Sequence, residues 1–267
     1  MLDLLFNPQK AERHPLEIVI IGIFYSSLSI LLGLWVFKSQ ASLAIIFLTT
    51  LSCVYVVQGA IKMEEKKEKN YEQETWLLKQ HKPIIILILA LFIGFTISAT
   101  LWTLFLPAKT SAIVFELQAT SIYQIQSITG NAIYPENPLI QIIKNNLNII
   151  LVSTIIALFF GAGAIYILAW NASVMGFAIG SIARESFGLL ALPITFTKYF
   201  LHGIPEIIAY IIASIAGAIL YFAFIKGDLT NKNKNKRILV DVAMLLLISI
   251  ILIVISAFIE VYISSLI

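Results

Sequence analysis

The chain has 267 residues, of which 59% are hydrophobic and only 12% charged, with a mean hydropathy of +0.92. Soluble domains carry about 25% charged residues, so a chain this apolar cannot cover a globular surface and reads as an all-α, polytopic transmembrane bundle. The net charge of +3 is too small to argue for nucleic acid, and the lysines gather in two loops, which fits loops lying beside anionic lipid.

Cys53 is the one cysteine; it excludes an intramolecular disulfide, has no metal-ligand companion and reads as a small hydrophobe. No cleavable signal peptide is expected, because Asp3, Lys10, Glu12, Arg13 and His14 precede an apolar run that reaches Phe37 without a small-residue cleavage site.

Leu2 to Pro8 is a short apolar piece suited to the membrane surface. Leu16 to Phe37 is long enough to span, Lys38-Ser39-Gln40 is a polar turn, and Ala41 to Ile61 returns, so the chain opens with a helical hairpin. Residues 62–82 alternate lysine with glutamate as a solvated helix does, with Trp76 positioned to dip into the interface. Pro83 is expected to open the next span, Ile84 to Leu106, and Pro107 to close it. Residues 107–146 form a small extramembrane cap with an amphipathic surface helix around 111–128.

Leu147 to Trp170 reads as one span through Gly161 and Gly163, small residues that let helices approach closely. Residues 172–200 read as two broken helices, one of them on the surface or re-entrant. Gly176 and Gly180 have the Gly-x-x-x-Gly packing spacing, and Arg184-Glu185 interrupts. A span then starts at Pro205, near its first turn, and runs to Ile225. Ala209, Ala213 and Gly217 recur every four residues along it as a close-packing face. A second basic loop, 226–237, precedes the last span, Leu239 to Ile259.

Basic loops favour the cytoplasmic side, which places the N-terminus and loops 62–82 and 226–237 inside. Segment 107–146 and the C-terminus are then outside, with about seven crossings in a cell membrane. The domain division expected is an N-terminal hairpin and charged helix, 1–83, ahead of a five-span core, 84–267.

The polar residues that could carry function are few. His202 and Glu206 stand four apart, on one helical face, at the mouth of a long apolar run. Ionisable groups in a bilayer are expensive and so mark candidate sites. The bland alternative is a turned helix start with His202 bonded to a neighbour. One His and one Glu fall short of the usual three zinc ligands, and His14 and His81 lie in cytoplasmic segments. No metal, cofactor or complete catalytic set is therefore expected. Asn145, Asn146 and Asn171 bracket a span, either as helix caps or as part of a polar cluster with His202. Arg184 and Glu185 are either wet or buried, and if buried Arg184 is a candidate partner for Glu206.

In order, Asn145-Asn146, Phe160-Gly161-Ala162-Gly163, Asn171, Met175-Gly176-Phe177-x-x-Gly180, His202-Gly203-x-x-Glu206-x-x-Ala209 and Ile212-Ala213-x-x-Ala216-Gly217 resemble the stage II sporulation protein M family over about residues 84–267. The resemblance implies a non-enzymatic membrane anchor or scaffold that recruits peptidoglycan-degrading partners in engulfment. It places His202, Gly203 and Glu206 in the family's central motif. A scaffold with protein partners or a homo-oligomer is thus the leading expectation. A small-solute or ion transporter built on broken helices is the alternative, and an intramembrane hydrolase a more distant one.

Overall fold

A computed structural model describes residues 14–68, 77–130, 137–161, 165–186, 188–228 and 232–263. The Leu2–Pro8 segment, Trp76 and Gly163 lie outside them. Helix α1 is Pro15–Leu32, and a short π turn, Gly33–Phe37, leads into a 3-10 turn, Lys38–Gln40. Helix α2 is Ala41–Glu68 and α3 is Leu77–Phe105. The short α4, Ala108–Val114, precedes α5, Glu116–Gly130. Then come α6, Pro138–Phe160, α7, Ile165–Glu185, α8, Leu192–Lys226, and α9, Lys232–Tyr262.

Six apolar runs among the described residues are long enough to cross a membrane, and the first, Pro15–Ala60, reverses within its length. Lys38 takes a positive φ of 37° at that reversal. Ile30 packs with Ala41 and Ile45, so the arms α1 and α2 lie side by side and the runs make seven passes.

The direction of each pass follows from which residues meet. Gly22 lies against Leu91 and Gly94, and Ser27 Oγ is 3.0 Å from Ser98 Oγ, so α1 and α3 are parallel. Gly176 sits on Thr96–Thr100 and Gly180 on Thr100–Thr103, so α3 and α7 are parallel too. Asn146 meets Tyr210 and Gly161 meets Tyr221, which makes α6 parallel to α8. Because α2 runs against α1, and α6 leads through 161–165 into α7, the two basic loops, 62–82 and 226–237, leave from one end of the bundle. The α4–α5 segment sits at the other.

In hydrocarbon, helices are held by close packing and hydrogen bonds rather than by expulsion of water. The glycines show this directly. A Cβ on Gly176 would come 2.6 Å from Ala99 Cβ, and one on Gly180 2.7 Å from Thr103 Cβ. The α3 hydroxyls that face them, Thr96 and Thr100, bond back to carbonyls one turn earlier, at 2.9 and 2.8 Å. A bilayer offers them no water, so the helix itself takes their protons.

Several expectations are corrected. Leu147 to Trp170 is not one span: Gly161, with φ 61°, ends α6, and α7 begins by Ile165 and carries Asn171 inside it. The break expected within 172–200 is present, between Glu185 and Leu192, but the helices on either side, α7 and α8, are each long enough to span rather than short or re-entrant, and α8 has Pro193 in its first turn. Pro205 therefore lies inside α8 rather than at a helix start. Apolar residues on both sides keep the helix going, at the loss of one backbone bond. Pro83 likewise lies inside α3. His81 opens the second apolar run and is only 2% exposed, rather than lying in a wet loop.

The cap is two helices, broken at Phe115, rather than one surface helix. Phe115 is fully buried against Phe177, with ring centroids 5.6 Å apart. Gln118, also fully buried, then locks the cap to the bundle. Ser42 Oγ of α2 donates to its Oε1 at 2.6 Å, and its Nε2 donates to Ser173 Oγ of α7 at 3.0 Å. Ser42 Oγ also accepts from the Leu117 backbone N–H (3.2 Å), capping α5 from another helix.

Candidate functional site

The polar residues collect where α6, α8 and α9 meet. Asn146 is buried on the face of α6 that turns to α8, with Ile150, Ser153 and Ala157. It is not a helix cap; Asn137 has that role, accepting from the Leu139 N–H at 3.1 Å. Tyr210, fully buried on α8, brings its hydroxyl to 2.9 Å from Asn146 Oδ1 and 2.5 Å from Glu206 Oε1. Asn145 Nδ2 donates to the same Asn146 oxygen at 3.2 Å. The result is a chain of side chains, Asn145–Asn146–Tyr210–Glu206, running across two helices. Such a network is strong when every member is satisfied, because little competes with it in a low-dielectric interior.

The third helix closes the site. Ser256 Oγ of α9 donates to the His202 carbonyl at 2.7 Å. This bond lies one residue from Leu201, whose carbonyl loses its usual donor to Pro205. Glu260, near the end of α9, is close enough to act electrostatically on Glu206, Tyr210 and Tyr199. The His202 ring lies 6.1 Å from that of Tyr199 and hydrogen-bonds the Lys198 backbone. Gly203 lets α8 approach α7, since a Cβ there would come 2.5 Å from Met175 Cε. Below the network, Ala209 and Ala213 are fully buried and Thr154 Oγ1 reaches the Ala213 carbonyl at 3.3 Å.

The structure thus brings His202, Gly203, Glu206, Asn145 and Asn146 together, with Ala209, Ala213 and Gly217 as the packing face beneath them. It leaves out three sequence candidates. Asn171 Nδ2 donates to the Ile167 carbonyl of its own helix at 2.8 Å. Glu185 is exposed at the end of α7. Arg184 Nη2 donates to the Leu106 carbonyl at 2.8 Å, so it caps α3 instead of pairing with Glu206. Arg184→Ala is expected to destabilise by about 1.5–3 kcal/mol, as for a hydrogen bond to a charged group. A thiol-reactive dye that reaches buried Cys53 only on unfolding measures this, and an unchanged melting midpoint would count against the cap.

Tyr210, Glu260 and Ser256 escaped the sequence reading. A tyrosine one turn after Glu206 in an otherwise apolar run was the available signal for the first. Nothing local marks the other two, which lie about fifty residues away on another helix. Beside the site, a groove of about 550 Å³ opens between α3 and α8. Its lining is apolar except for the Thr100 and Thr197 hydroxyls, and of its α8 residues Thr197 and Phe200 are turned away from Glu206 around the helix.

The family model for stage II sporulation protein M matches residues 22–265. A protein of Methanocaldococcus jannaschii described as uncharacterized is 36% identical over 125 residues, covering 46% of this chain and 68% of that protein. No solved structure gives a significant match.

Proposed function

The chain belongs to the stage II sporulation protein M family, and we propose that it is a non-enzymatic membrane scaffold that anchors partners of an envelope- or membrane-remodelling complex. The observation that carries this reading is the Gln118 lock. It holds the extramembrane α4–α5 pair against two different spanning helices, so that Ile113, Leu117 and Tyr123, which are 49%, 39% and 70% exposed, are presented on a fixed platform. The Glu206 network supports the same reading, because its groups are spent on one another across α6 and α8 and act as a joint. The positive-inside tendency puts the end with loops 62–82 and 226–237 in the cytoplasm and the platform outside.

A transporter is the second reading, favoured by two carboxylates, Glu206 and Glu260, near each other at a helix that carries an internal proline. The scaffold is preferred because Glu206 is engaged by Tyr210 rather than left open to a solute.

Photo-crosslinking from Tyr123 in cells of the native organism tests the proposal. The expected result is a small set of envelope or membrane-remodelling proteins, lost in Gln118→Ala while the bundle stays folded. That substitution is expected to destabilise the cap by about 1–3 kcal/mol. Adducts with lipid alone, or adducts unchanged by Gln118→Ala, would sink the platform.

A further inference from the structure

Helix α6 has a second face that the packing against α8 leaves free and that the network touches only through Asn145. Its inner side, Asn146, Ile150, Ser153 and Ala157, is buried against α8. Its outer side carries Asn145, Asn148, Val152, Ile155 and Phe159, all exposed. These five are separated by alternating steps of three and four residues, the spacing of a left-handed helix-pairing seam.

Asn148 is the residue that this seam has to explain. It is the eleventh of the 23 residues of α6, so it sits at the middle of a spanning helix about 34 Å long. It is exposed, and among the described residues nothing hydrogen-bonds its side chain. A carboxamide facing lipid tails keeps two donors and an acceptor unsatisfied, which hydrocarbon cannot remedy. Asparagine in a span is satisfied by bonding across to another helix.

We infer that α6 pairs with α6 of a second copy of this chain through this seam, with Asn148 bonded to its own counterpart. Three features select a second copy over an unrelated helix. A carboxamide is self-complementary, donor to acceptor, as a two-fold interface requires. Two copies inserted with the same topology run parallel, so Asn148 meets its equivalent at the same depth. The apolar residues that flank it towards one end, Val152, Ile155 and Phe159, continue the same stripe and bring the helices together beside it. Lys144, exposed one turn before Asn148, lies nearer the helix start, where its long stem can carry the ammonium group out to the headgroups. The pairing is independent of what the bundle recruits.

Disulfide trapping in native membranes tests it on the full chain. Val152→Cys and Ile155→Cys are oxidised separately, with Leu247→Cys, 58% exposed on α9, as the control face. Cys53 is buried within the bundle and serves as the wild-type background. The expected product is a dimer of about twice 29.7 kDa carrying both of two co-expressed tags, formed at 152 and 155 and not at 247. Adding Asn148→Leu, which replaces an amide by an apolar side chain on the lipid-facing side, is expected to lower the trapped fraction roughly tenfold, the worth of one interhelical hydrogen bond in model peptides. The melting profile read at Cys53 should stay as in the parent. The inference is overturned by monomer at both seam positions, by equal trapping at 247, by an adduct with a different protein, or by trapping that ignores Asn148→Leu.

Discussion

Gly217→Val is expected to force α6 away from α8 and to lower stability sharply. A Cβ at Gly217 would run into the backbone carbonyl of Thr154 and come 2.9 Å from Ala157 Cβ. A backbone atom cannot swing aside as a side chain does, so the helices themselves must part. Overpacking of this kind costs about 1–3 kcal/mol, and more when backbone is displaced. The damage spreads, because the same contact sets the spacing at which Thr154 reaches the Ala213 carbonyl and Tyr210 reaches Asn146. Dye labelling of Cys53 during heating should show a much lower midpoint, or a protein that labels at once after extraction. A midpoint equal to that of the wild type would mean that α6 and α8 are not packed as described.

Tyr210→Ala is expected to cost at least as much, at about 3–5 kcal/mol, the range for deleting a large buried aromatic side chain. Tyr210 is fully exposed to neither water nor lipid; it is enclosed, at 0% exposure, among α6, α8 and α9. Tyr210→Phe separates packing from bonding. It keeps the ring and removes the hydroxyl shared by Asn146 and Glu206, at an expected cost of about 1–3 kcal/mol for the polar groups left behind. Both variants are read by the same Cys53 melt. A Tyr210→Phe protein as stable as the wild type would show that the network is not a joint.

Several elements were legible because they depend on neighbours in the chain. The reversal at Lys38-Ser39-Gln40 follows from a polar triplet between two apolar runs. The Gly176–Gly180 spacing predicts a close helix contact, and α3 fills it. Other elements were misread for equally local reasons. Pro205 looks like a helix start because proline is tolerated there, yet the apolar run on both sides carries α8 through it. The sequence reads as one span from Leu147 to Trp170, whereas Gly161 takes the positive φ that ends the helix and rests against the Tyr221 ring. Both small residues and asparagines are common at helix ends, and spacing alone does not rank them.

Composition and apolar run length by themselves determined that this is a polytopic helical membrane protein, because runs of about 20 apolar residues match a spanning helix and are about twice as long as a spanning strand. The ordered motif around His202-Gly203-x-x-Glu206 determined its family. Only the tertiary structure decided that Glu206 answers to Tyr210 and Asn146, that Arg184 serves the end of α3, and that Gln118 fastens the cap. Those partners lie on other turns and other helices. A polar side chain in a membrane takes whichever donor or acceptor the packing of helices brings within about 3 Å, and sequence distance has no say in that choice.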